Sequence, residues 1–344
     1  MIGLNGGLIG KDRTTSSSPS VPGVWTLDEQ IKARRSNAWP TTGAKLLDTY
    51  GGASVAYSLR LLSTAYSGSL VTVRRASDNT TQGFTEAQII GSGAGSLADF
   101  CAGTNGFVTT WHDQSGNGNN ATQATAANQP QIVTSSVVEL TNTKPCIKYT
   151  SDDKWLTFGT RRTDVISTFQ VCKLDITSGV KPLLGDTTTF DYHGGSSTWL
   201  DASLSAAEVR NGSNRINNAI STLQSTNKST SQVLISMINT GNTEVSTISR
   251  DRTEAGRNWN GTFQELIIYN SSKSTDASAI NSEINLHYSV SVSYTHLTLP
   301  TVASLPWKSV SLRWNRVPNS VASSMVTCSF ALLSLPALLY SMTV

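Results

Sequence analysis

Residues 110–123 read TWHDQSGNGNNATQ, and this run decides the kind of fold that the chain can adopt. The apolar residues Phe107 and Val108 lead into it as a strand, and Asp113 then opens a cluster of Gly, Asn and Ser. The cluster predicts a structured turn, because Gly and Asn tolerate positive φ and short polar side chains bond to nearby backbone. The same oxygens and amides suit a sugar hydroxyl or a calcium ion.

The composition is that of a turn-rich β protein. Only 14% of the 344 residues are charged, and the formal net charge of +3 comes without a long basic run. Short apolar runs separated by Gly, Asn and Ser turns favour a sandwich or jelly roll. The lack of a basic stripe argues against a nucleic-acid partner. The length permits one large domain or two of ordinary size.

Hydrophobic periodicity predicts the individual elements. Residues 53–66 carry apolar side chains at a helical spacing, and Ala277–Tyr288 reads as an amphipathic helix that closes the domain. Short helical pieces are predicted at 85–90 and 96–101. Strands are predicted at 70–75, 106–111, 131–133, 146–149, 156–158, 167–174, 206–210, 232–239 and 262–269.

The cysteines carry no recognisable metal or disulfide pattern. Cys101, Cys146, Cys172 and Cys328 form neither a CxxC pair nor a Cys/His cluster with zinc spacing. We therefore expect a fold that does not depend on a disulfide framework.

The chain is predicted to have three parts. Residues 1–40 form a leader with a Ser/Thr/Pro-rich linker and a short helix, and residues 1–10 are a poor signal peptide. Residues 41–291 form the domain. Residues 292–344 contain none of the 23 acidic residues, and 292–301 resemble the translation of a sequencing-library adapter. We therefore expect this tail to be non-native.

The end of that tail is uncharged over residues 326–344, which is long enough for a membrane helix. Pro336 interrupts this segment, and the adapter-like peptide precedes it. We accordingly predict no genuine membrane span.

Three ordered blocks carry a family resemblance. They are YSLR at 57–60 with VRR at 73–75, DQSGNGN at 113–119, and GTFQE at 261–265. With this order and spacing, residues 47–288 resemble the catalytic domain of fungal-type α-L-arabinofuranosidase B, a concanavalin A-like jelly roll. The resemblance implies an all-β jelly-roll sandwich with a few short helices and a C-terminal helix. It also implies a retaining glycosidase, whose two carboxyl groups stand about 5–5.5 Å apart.

The chain departs from that family where the chemistry should lie. Gly106 stands at the position of the cysteine that would pair with Cys101. Thr188 and Thr189 replace two adjacent cysteines, and His193 replaces the glycine of a Phe-Asp-Tyr-Gly segment. These differences predict a degraded catalytic pattern on an intact scaffold.

Three carboxylates are the candidate catalytic residues. Asp251 lies near the position of the family's acid/base, upstream of the GTF motif at 261–263. Asp201 and Glu208 are merely the carboxylates nearest to the position of the nucleophile. A solvated loop carboxylate is the alternative interpretation of Asp251.

The turn at 113–119 is a candidate calcium site, with oxygens from Asp113, Ser115, Asn117 and Asn119. The alternative is that Asp113 caps the turn by accepting backbone N–H groups. Apart from this calcium ion, no cofactor is predicted.

Aromatic and polar side chains supply the candidate sugar contacts. Trp111 could stack on a sugar ring, with core packing at a strand end as the alternative. For Trp259, exposure at a rim and burial are both open. The resemblance adds Asp191 and Tyr192 from the surviving Phe-Asp-Tyr segment. The predicted ligand-binding residues are Trp111, Asp113, Asn117, Asn119, Asp191, Tyr192 and Trp259.

The leading interpretation is a glycan-facing jelly-roll domain of a virion-associated protein similar to a phage tail fibre. The leader resembles the openings of phage tail and virion proteins, a glycine-rich start followed by GVWT at 23–26. It would bind other virion proteins, while the domain binds a cell-surface or plant-type polysaccharide. The expected location is the virion, or outside the cell after lysis. An active retaining α-L-arabinofuranosidase-like hydrolase and a purely structural virion module are the alternatives.

Overall fold

The structure, a computed structural model, describes residues 44–150, 153–252, 254 and 256–290. The predicted leader at 1–40 and the predicted tail at 292–344, with its adapter-like and uncharged segments, lie outside the described residues. Within the described part, no helix is both long enough and apolar enough to cross a membrane.

The described chain is mostly β, as the composition predicts. The strands are β1 (Ala53–Ser58), β2 (Val71–Arg75), β3 (Thr81–Phe84), β4 (Gly106–Trp111), β5 (Ala121–Thr122), β6 (Gln131–Thr134), β7 (Val137–Val138), β8 (Leu140–Thr141), β9 (Lys144–Pro145), β10 (Ile147–Tyr149), β11 (Leu156–Leu174), β12 (Ser213–Ile216), β13 (Ala219–Ile220), β14 (Val233–Ile248) and β15 (Gly261–Tyr269). The helices are α1 (Leu46–Thr49), α2 (Glu86–Ile90), α3 (Leu97–Phe100), α4 (Ala207–Arg210) and α5 (Ala277–Tyr288).

The strands pair antiparallel in a closed circuit. Strand β15 pairs with β1 and β10 along one edge and with β11 along the other. The circuit returns from β10 through β6, β4 and β5 to the start of β11. This pairing leaves few open strand edges and forms a sheet-rich sandwich or barrel. The predicted all-β class is confirmed, and the finer jelly-roll connectivity stays a prediction.

Two predicted elements have the wrong secondary structure. Residues 53–66, predicted as a helix, begin with β1, whose six residues are all buried. A strand covered on both faces need not alternate apolar and polar residues, and in β1 the serines Ser54 and Ser58 are buried as well, so no alternation identifies it. Residues 206–210, predicted as a strand, contain the short helix α4. A run this short cannot be assigned by periodicity alone.

The longest strands join segments that look separate in the sequence. Strand β11 combines the two runs predicted at 156–158 and 167–174, and it pairs along its length with β14. The register between them shifts three times, between residues 157 and 167 of β11. Such irregularities bend a strand, so the two halves of β11 join different parts of the sheet.

Two apolar cores lie on opposite faces of the central strands. Leu266 and Ile268 of β15 belong to the larger core, inside the circuit, while Ile267 and Tyr269 face the smaller one. The alternation follows from the two-residue repeat of a strand. The smaller core is covered by α5 through Ile280, Ile284 and Tyr288, so the predicted closing helix is confirmed in bounds and buried face.

The cysteines in the described part, Cys101, Cys146 and Cys172, are buried thiols without disulfides. A Cβ added to Gly106 would lie 2.7 Å from the Cys101 sulfur and 3.0 Å from a methyl group of Val73. The packing therefore leaves little room for a larger side chain at position 106.

Candidate functional site

The Asp113 carboxylate is buried and accepts four hydrogen bonds from its own turn and from β1. Oδ1 accepts the N–H groups of Ala56 and Ser115 at 2.8 and 2.9 Å. Oδ2 accepts the Ser115 hydroxyl and the N–H of Asn119 at 2.8 and 3.0 Å. Both oxygens are thus occupied by protein donors, and the carboxylate caps the turn.

The predicted calcium site is therefore corrected. The side-chain amide of Asn117 donates to the carbonyls of Ala53 and Ser54 in β1. Asn119 exchanges two hydrogen bonds with the backbone of Thr160, at 2.7 and 2.8 Å. Across the described residues, no group of three or more His, Cys, Asp or Glu side chains could hold a metal ion. These polar groups build the scaffold and leave no vacant oxygen cage.

Both candidate tryptophans are fully buried, so neither ring offers a face to a sugar. Trp111 packs against Tyr57 with ring centroids 5.6 Å apart. Trp259 packs against Trp199 and Phe263, with centroids 6.5 and 4.9 Å away, and its indole N–H donates to a backbone carbonyl. The structure therefore corrects the expected stacking roles, because the core takes both aromatic surfaces.

Tyr192 is also buried, and it anchors the Phe-Asp-Tyr segment from within. Its hydroxyl lies 2.6 Å from the Thr243 hydroxyl and accepts the Asn239 amide at 2.9 Å. The tyrosine thus anchors the segment that carries the exposed Phe190 and does not itself face a ligand.

Asp251 is buried between the His193 ring and two arginine side chains. Its Oδ2 lies 3.2 Å from Nδ1 of His193 and 3.6 Å from a guanidinium nitrogen of Arg257. Nε of Arg252 donates to Oδ1 at 3.1 Å. Burial alone would raise the pKa of Asp251, but the hydrogen bonds from His193 and Arg252 outweigh burial and lower it. Asp251 is consequently held as an ionised carboxylate.

The other two predicted catalytic carboxylates lie apart from the Asp251 carboxylate, and Asp201 stabilises its own turn. Asp201 accepts the N–H groups of Leu204 and Ser203, and these hydrogen bonds lower its pKa. Its own N–H donates to the carbonyl of His193, which places it near the Asp251 cluster. Glu208 lies in the first turn of α4, with its side chain beside Gly241. No hydrogen bond among the described residues joins Asp251 to either carboxylate.

A second set of charged side chains, which sequence reasoning missed, surrounds Asp191. Oδ2 of Asp191 accepts the N–H of Glu244 at 2.8 Å. Arg161 bonds both the Asp186 carboxylate, at 2.9 Å, and the Glu244 carboxylate. Arg161 lies on β11 and Glu244 on β14, so no local motif could have connected them with Asp191.

These contacts move neighbouring carboxyl pKa values in opposite directions. Burial raises the pKa of Asp191, and the nearby charges of Glu244, Asp186 and Glu208 raise it further. Burial would also raise the pKa of Asp186, but the hydrogen bonds from Arg161 and the Thr189 N–H outweigh it and lower that pKa. Divergent pKa values of neighbouring carboxyl groups often mark functional sites.

Phe190 is the exposed aromatic residue between these two sets. Its side chain is 40% exposed. The guanidinium of Arg252 lies 4.8 Å from the ring centroid, and the His193 ring approaches edge-on at 6.1 Å. We call the area formed by Arg161, Phe190, Asp191, Glu244, Arg252 and Arg257 the Phe190 surface.

Residues 49–145 match the family model described as the catalytic domain of α-L-arabinofuranosidase B. This stretch is similar to that domain. One curated relative, α-L-arabinofuranosidase B of Emericella nidulans, is 46% identical over 66 residues. That alignment covers 19% of this chain and 13% of the relative's length.

Two solved structures show a looser likeness. An arabinofuranosidase complexed with arabinofuranosyl-α-1,2-xylobiose aligns with 16% identity and a TM-score of 0.40, over 69% of this chain and 63% of that chain. A GH54 α-L-arabinofuranosidase soaked with a cyclic sulfate inhibitor aligns with 16% identity and a TM-score of 0.39, over 70% of this chain and 63% of that chain.

The stretch that matches the family model contains the Asp113 turn but none of the candidate catalytic carboxylates. The Asp113 turn lies inside residues 49–145, whereas Asp191, Asp201, Glu208 and Asp251 all lie beyond it. The family match therefore assigns no role to the carboxylates of the Phe190 surface or to the Asp251 cluster.

Proposed function

We propose that this chain is a glycan-binding domain that presents the Phe190 surface to a polysaccharide. The observation that supports it best is the exposed Phe190 ring within a rim of half-exposed charged side chains. Ion pairs hold that rim in place, including those of Arg161 with Asp186 and Glu244 and of Arg252 with Asp251. An apolar face with fixed donors and acceptors around it suits a sugar, which has C–H surfaces and hydroxyl groups.

The state of Asp251 supports binding over hydrolysis through this residue. A glycosidase acid must hold a proton near neutral pH, which requires a raised pKa. The pKa of Asp251 is lowered, and two guanidinium groups and the His193 ring contact its carboxylate. Such a group fixes His193 and Arg252 in position and is a poor proton donor.

The wider setting in this proposal is a virion, where the leader at 1–40 attaches the domain to other virion proteins. The domain would then meet a cell-surface or plant-type polysaccharide, in the virion or outside the cell after lysis. Support for this setting is the glycine-rich opening followed by GVWT.

A hydrolase that uses Asp191 is the second candidate. The raised pKa of Asp191 is the observation that favours it, because a raised pKa suits a proton donor and the nearby charge of Glu244 contributes to the shift. In that mechanism Asp191 protonates the leaving oxygen, and Glu244 attacks the anomeric carbon.

Polysaccharide binding and turnover, measured side by side, test both candidates. We expect the described domain to bind a glycan on an array without releasing reducing sugar, and Phe190→Ala to abolish the binding. Ile220→Ala is the matched control, because Ile220 is an exposed apolar side chain on β13, outside the Phe190 surface.

Two results would contradict the proposal that the domain binds glycans without hydrolysing them. Arabinofuranoside turnover that is lost in Asp191→Asn would establish the hydrolase. Failure to bind any glycan on a broad array would leave the structural virion module as the function.

A further inference from the structure

Arg250 is an arginine whose guanidinium has no hydrogen-bond or ion-pair acceptor among the described residues. Its guanidinium carbon lies 3.9 Å from the centroid of the Trp155 ring, in a stacked contact. Of the arginines in the described part of the chain, Arg250 alone makes neither a hydrogen bond through its guanidinium nor an ion pair. Arg74 also stacks on an aromatic ring, but its guanidinium donates to Gln129 and Asn79. The stack therefore holds the guanidinium of Arg250 in place while its N–H groups stay available.

A second donor, also without an acceptor among the described residues, lies directly across from Arg250. Arg250 and Asn258 form an isolated antiparallel bridge. Partners in such a bridge direct their side chains to the same side of the backbone pair. Asn258 is 2% exposed, and its amide nitrogen has no hydrogen-bond partner in the part of the chain that the structure describes. A buried donor without an acceptor is costly, which indicates a place for an outside acceptor.

The charge of this segment favours an anionic acceptor. Residues 250–258 contain three arginines against two acids, a net charge of +1. The carboxylate of Asp251 is already shared by Arg252 and Arg257. On the neighbouring part of the Phe190 surface, Asp186 and Glu244 are both paired with Arg161. Arg161 thus partly offsets the negative charges of Asp186 and Glu244, which weakens their repulsion of an approaching anionic ligand.

We propose that the glycan bound by this domain is acidic, and that Arg250 and Asn258 bind its carboxylate or sulfate groups. This inference rests on the proposed glycan-binding function and names the class of glycan. A guanidinium presents a planar pair of N–H groups that matches the two oxygens of a carboxylate. The stacked Trp155 ring removes much of the entropy that a free arginine would lose on binding.

Binding of polygalacturonate, compared with its fully methyl-esterified form, tests the proposal. The two polymers share a backbone and differ in charge. We expect the charged form to bind at least about tenfold more tightly, with affinity that falls as the NaCl concentration rises. Dextran sulfate with dextran as its neutral partner distinguishes sulfate from carboxylate recognition.

Variants of Arg250 test whether this residue causes the preference for the charged polymer. Arg250→Gln should remove most of the preference for the charged polymer, and Arg250→Lys should retain part of it, because the charge remains and the planar fork is lost. Arg75→Gln is the matched control, since Arg75 also stacks on an aromatic ring but is already paired with Asp78. Equal thermal unfolding of the variants shows that each is folded.

The outcomes separate the two proposals. One outcome is that the domain binds neutral polymers tightly, with binding that is abolished by Phe190→Ala and unchanged by Arg250→Gln. That result would overturn the acidic-glycan inference and keep the glycan-binding function. Absence of binding to every polymer would overturn both.

Discussion

Nδ1 of His193 lies 3.2 Å from Oδ2 of Asp251, and 58 positions separate the two residues in the sequence. The contact joins the segment after β11 to the loop between β14 and β15, and both side chains are buried. It brings together a buried histidine and the aspartate that was expected to donate a proton. In this arrangement the carboxylate stabilises the loops that form the Phe190 surface.

Removal of the Asp251 charge should destabilise the domain. Asp251→Asn leaves the partly exposed Arg252 and Arg257 without their carboxylate, and the loss of a hydrogen bond to a charged group costs about 1.5–3 kcal/mol. The free energy of unfolding, measured by urea titration, should fall by an amount of that order. Asp164→Asn is the control, because the Arg162–Asp164 pair is more exposed and should contribute less than about 1 kcal/mol. Equal effects of the two variants would contradict the structural role of Asp251.

Stability should decrease in acid, and Asp251 should account for part of the decrease. The pKa of Asp251 is lower in the folded state than in the unfolded state. Its contribution is therefore complete above the unfolded pKa of about 4 and is lost as pH falls through the folded pKa. Unfolding free energies at pH 6, 4 and 3 should show a smaller decrease in Asp251→Asn than in the wild type. An unchanged pH dependence would refute the assignment.

The buried pair of Arg60 and Glu265 should be a major contributor to stability. Two guanidinium nitrogens of Arg60 bond the two oxygens of Glu265 at 2.8 and 2.9 Å, and the Glu265 side chain is 0% exposed. Glu265→Gln leaves a buried guanidinium without its counter-ion, which should cost about 3–5 kcal/mol. Chemical denaturation measures the loss. The exposed Lys173–Asp175 pair, disrupted by Asp175→Asn, should cost less than about 1 kcal/mol.

The Asp113 turn should be stable without calcium. Its carboxylate oxygens already accept four hydrogen bonds, so a chelator should leave the Tm unchanged. Asp113→Ala should lower the free energy of unfolding by about 3 kcal/mol, since it leaves buried N–H groups of Ala56 and Asn119 without acceptors. If calcium raised the Tm of the wild type and Asp113→Ala removed this rise, the calcium-site prediction would be supported instead.

Lys228 should make the free energy of unfolding depend on pH above about pH 8. Its ammonium group is buried and donates to the carbonyls of Gly179 and Gly195. Burial, together with the charge of Lys181, lowers its pKa to about 8, whereas the unfolded value is about 10.4. Between these values the unfolded state binds more protons, so this group adds stability as pH rises.

The comparison of Lys228→Met with the wild type isolates this effect. The free energy of unfolding of the wild type relative to the variant should increase from pH 7.5 to 9.5. The difference between the two proteins is the proper readout, because the buried cysteine thiols act in the opposite direction over the same range. A difference that stays constant with pH would disprove the shift at Lys228.

Local signals were sufficient for some elements and misleading for others. The Asp113 turn and the helix α5 were predicted because their turn residues and apolar repeat are contained within a few neighbouring residues. Strand β1 was predicted as a helix because burial on both faces removed its alternation. Trp111 was a candidate ligand contact because an aromatic at a strand end looks the same in the sequence whether it faces solvent or the core.

The candidate site depended even more on contacts between distant segments. Asp191 was identified through its Phe-Asp-Tyr segment, but its neighbour Glu244 and the cation Arg161 were missed. They lie on two strands whose pairing shifts register, and no short-range rule predicts that geometry.

The amino-acid sequence by itself determined the β class, the Asp113 turn, the closing helix and the likeness to an arabinofuranosidase B catalytic domain. Those features rest on local backbone preferences and on the spacing of apolar residues, which are encoded within short stretches. The tertiary structure alone decided which aromatic rings are buried, which acids pair with arginines and which carboxyl pKa values rise or fall. Burial and electrostatic interactions depend on the distances between atoms, and only the folded chain sets those distances.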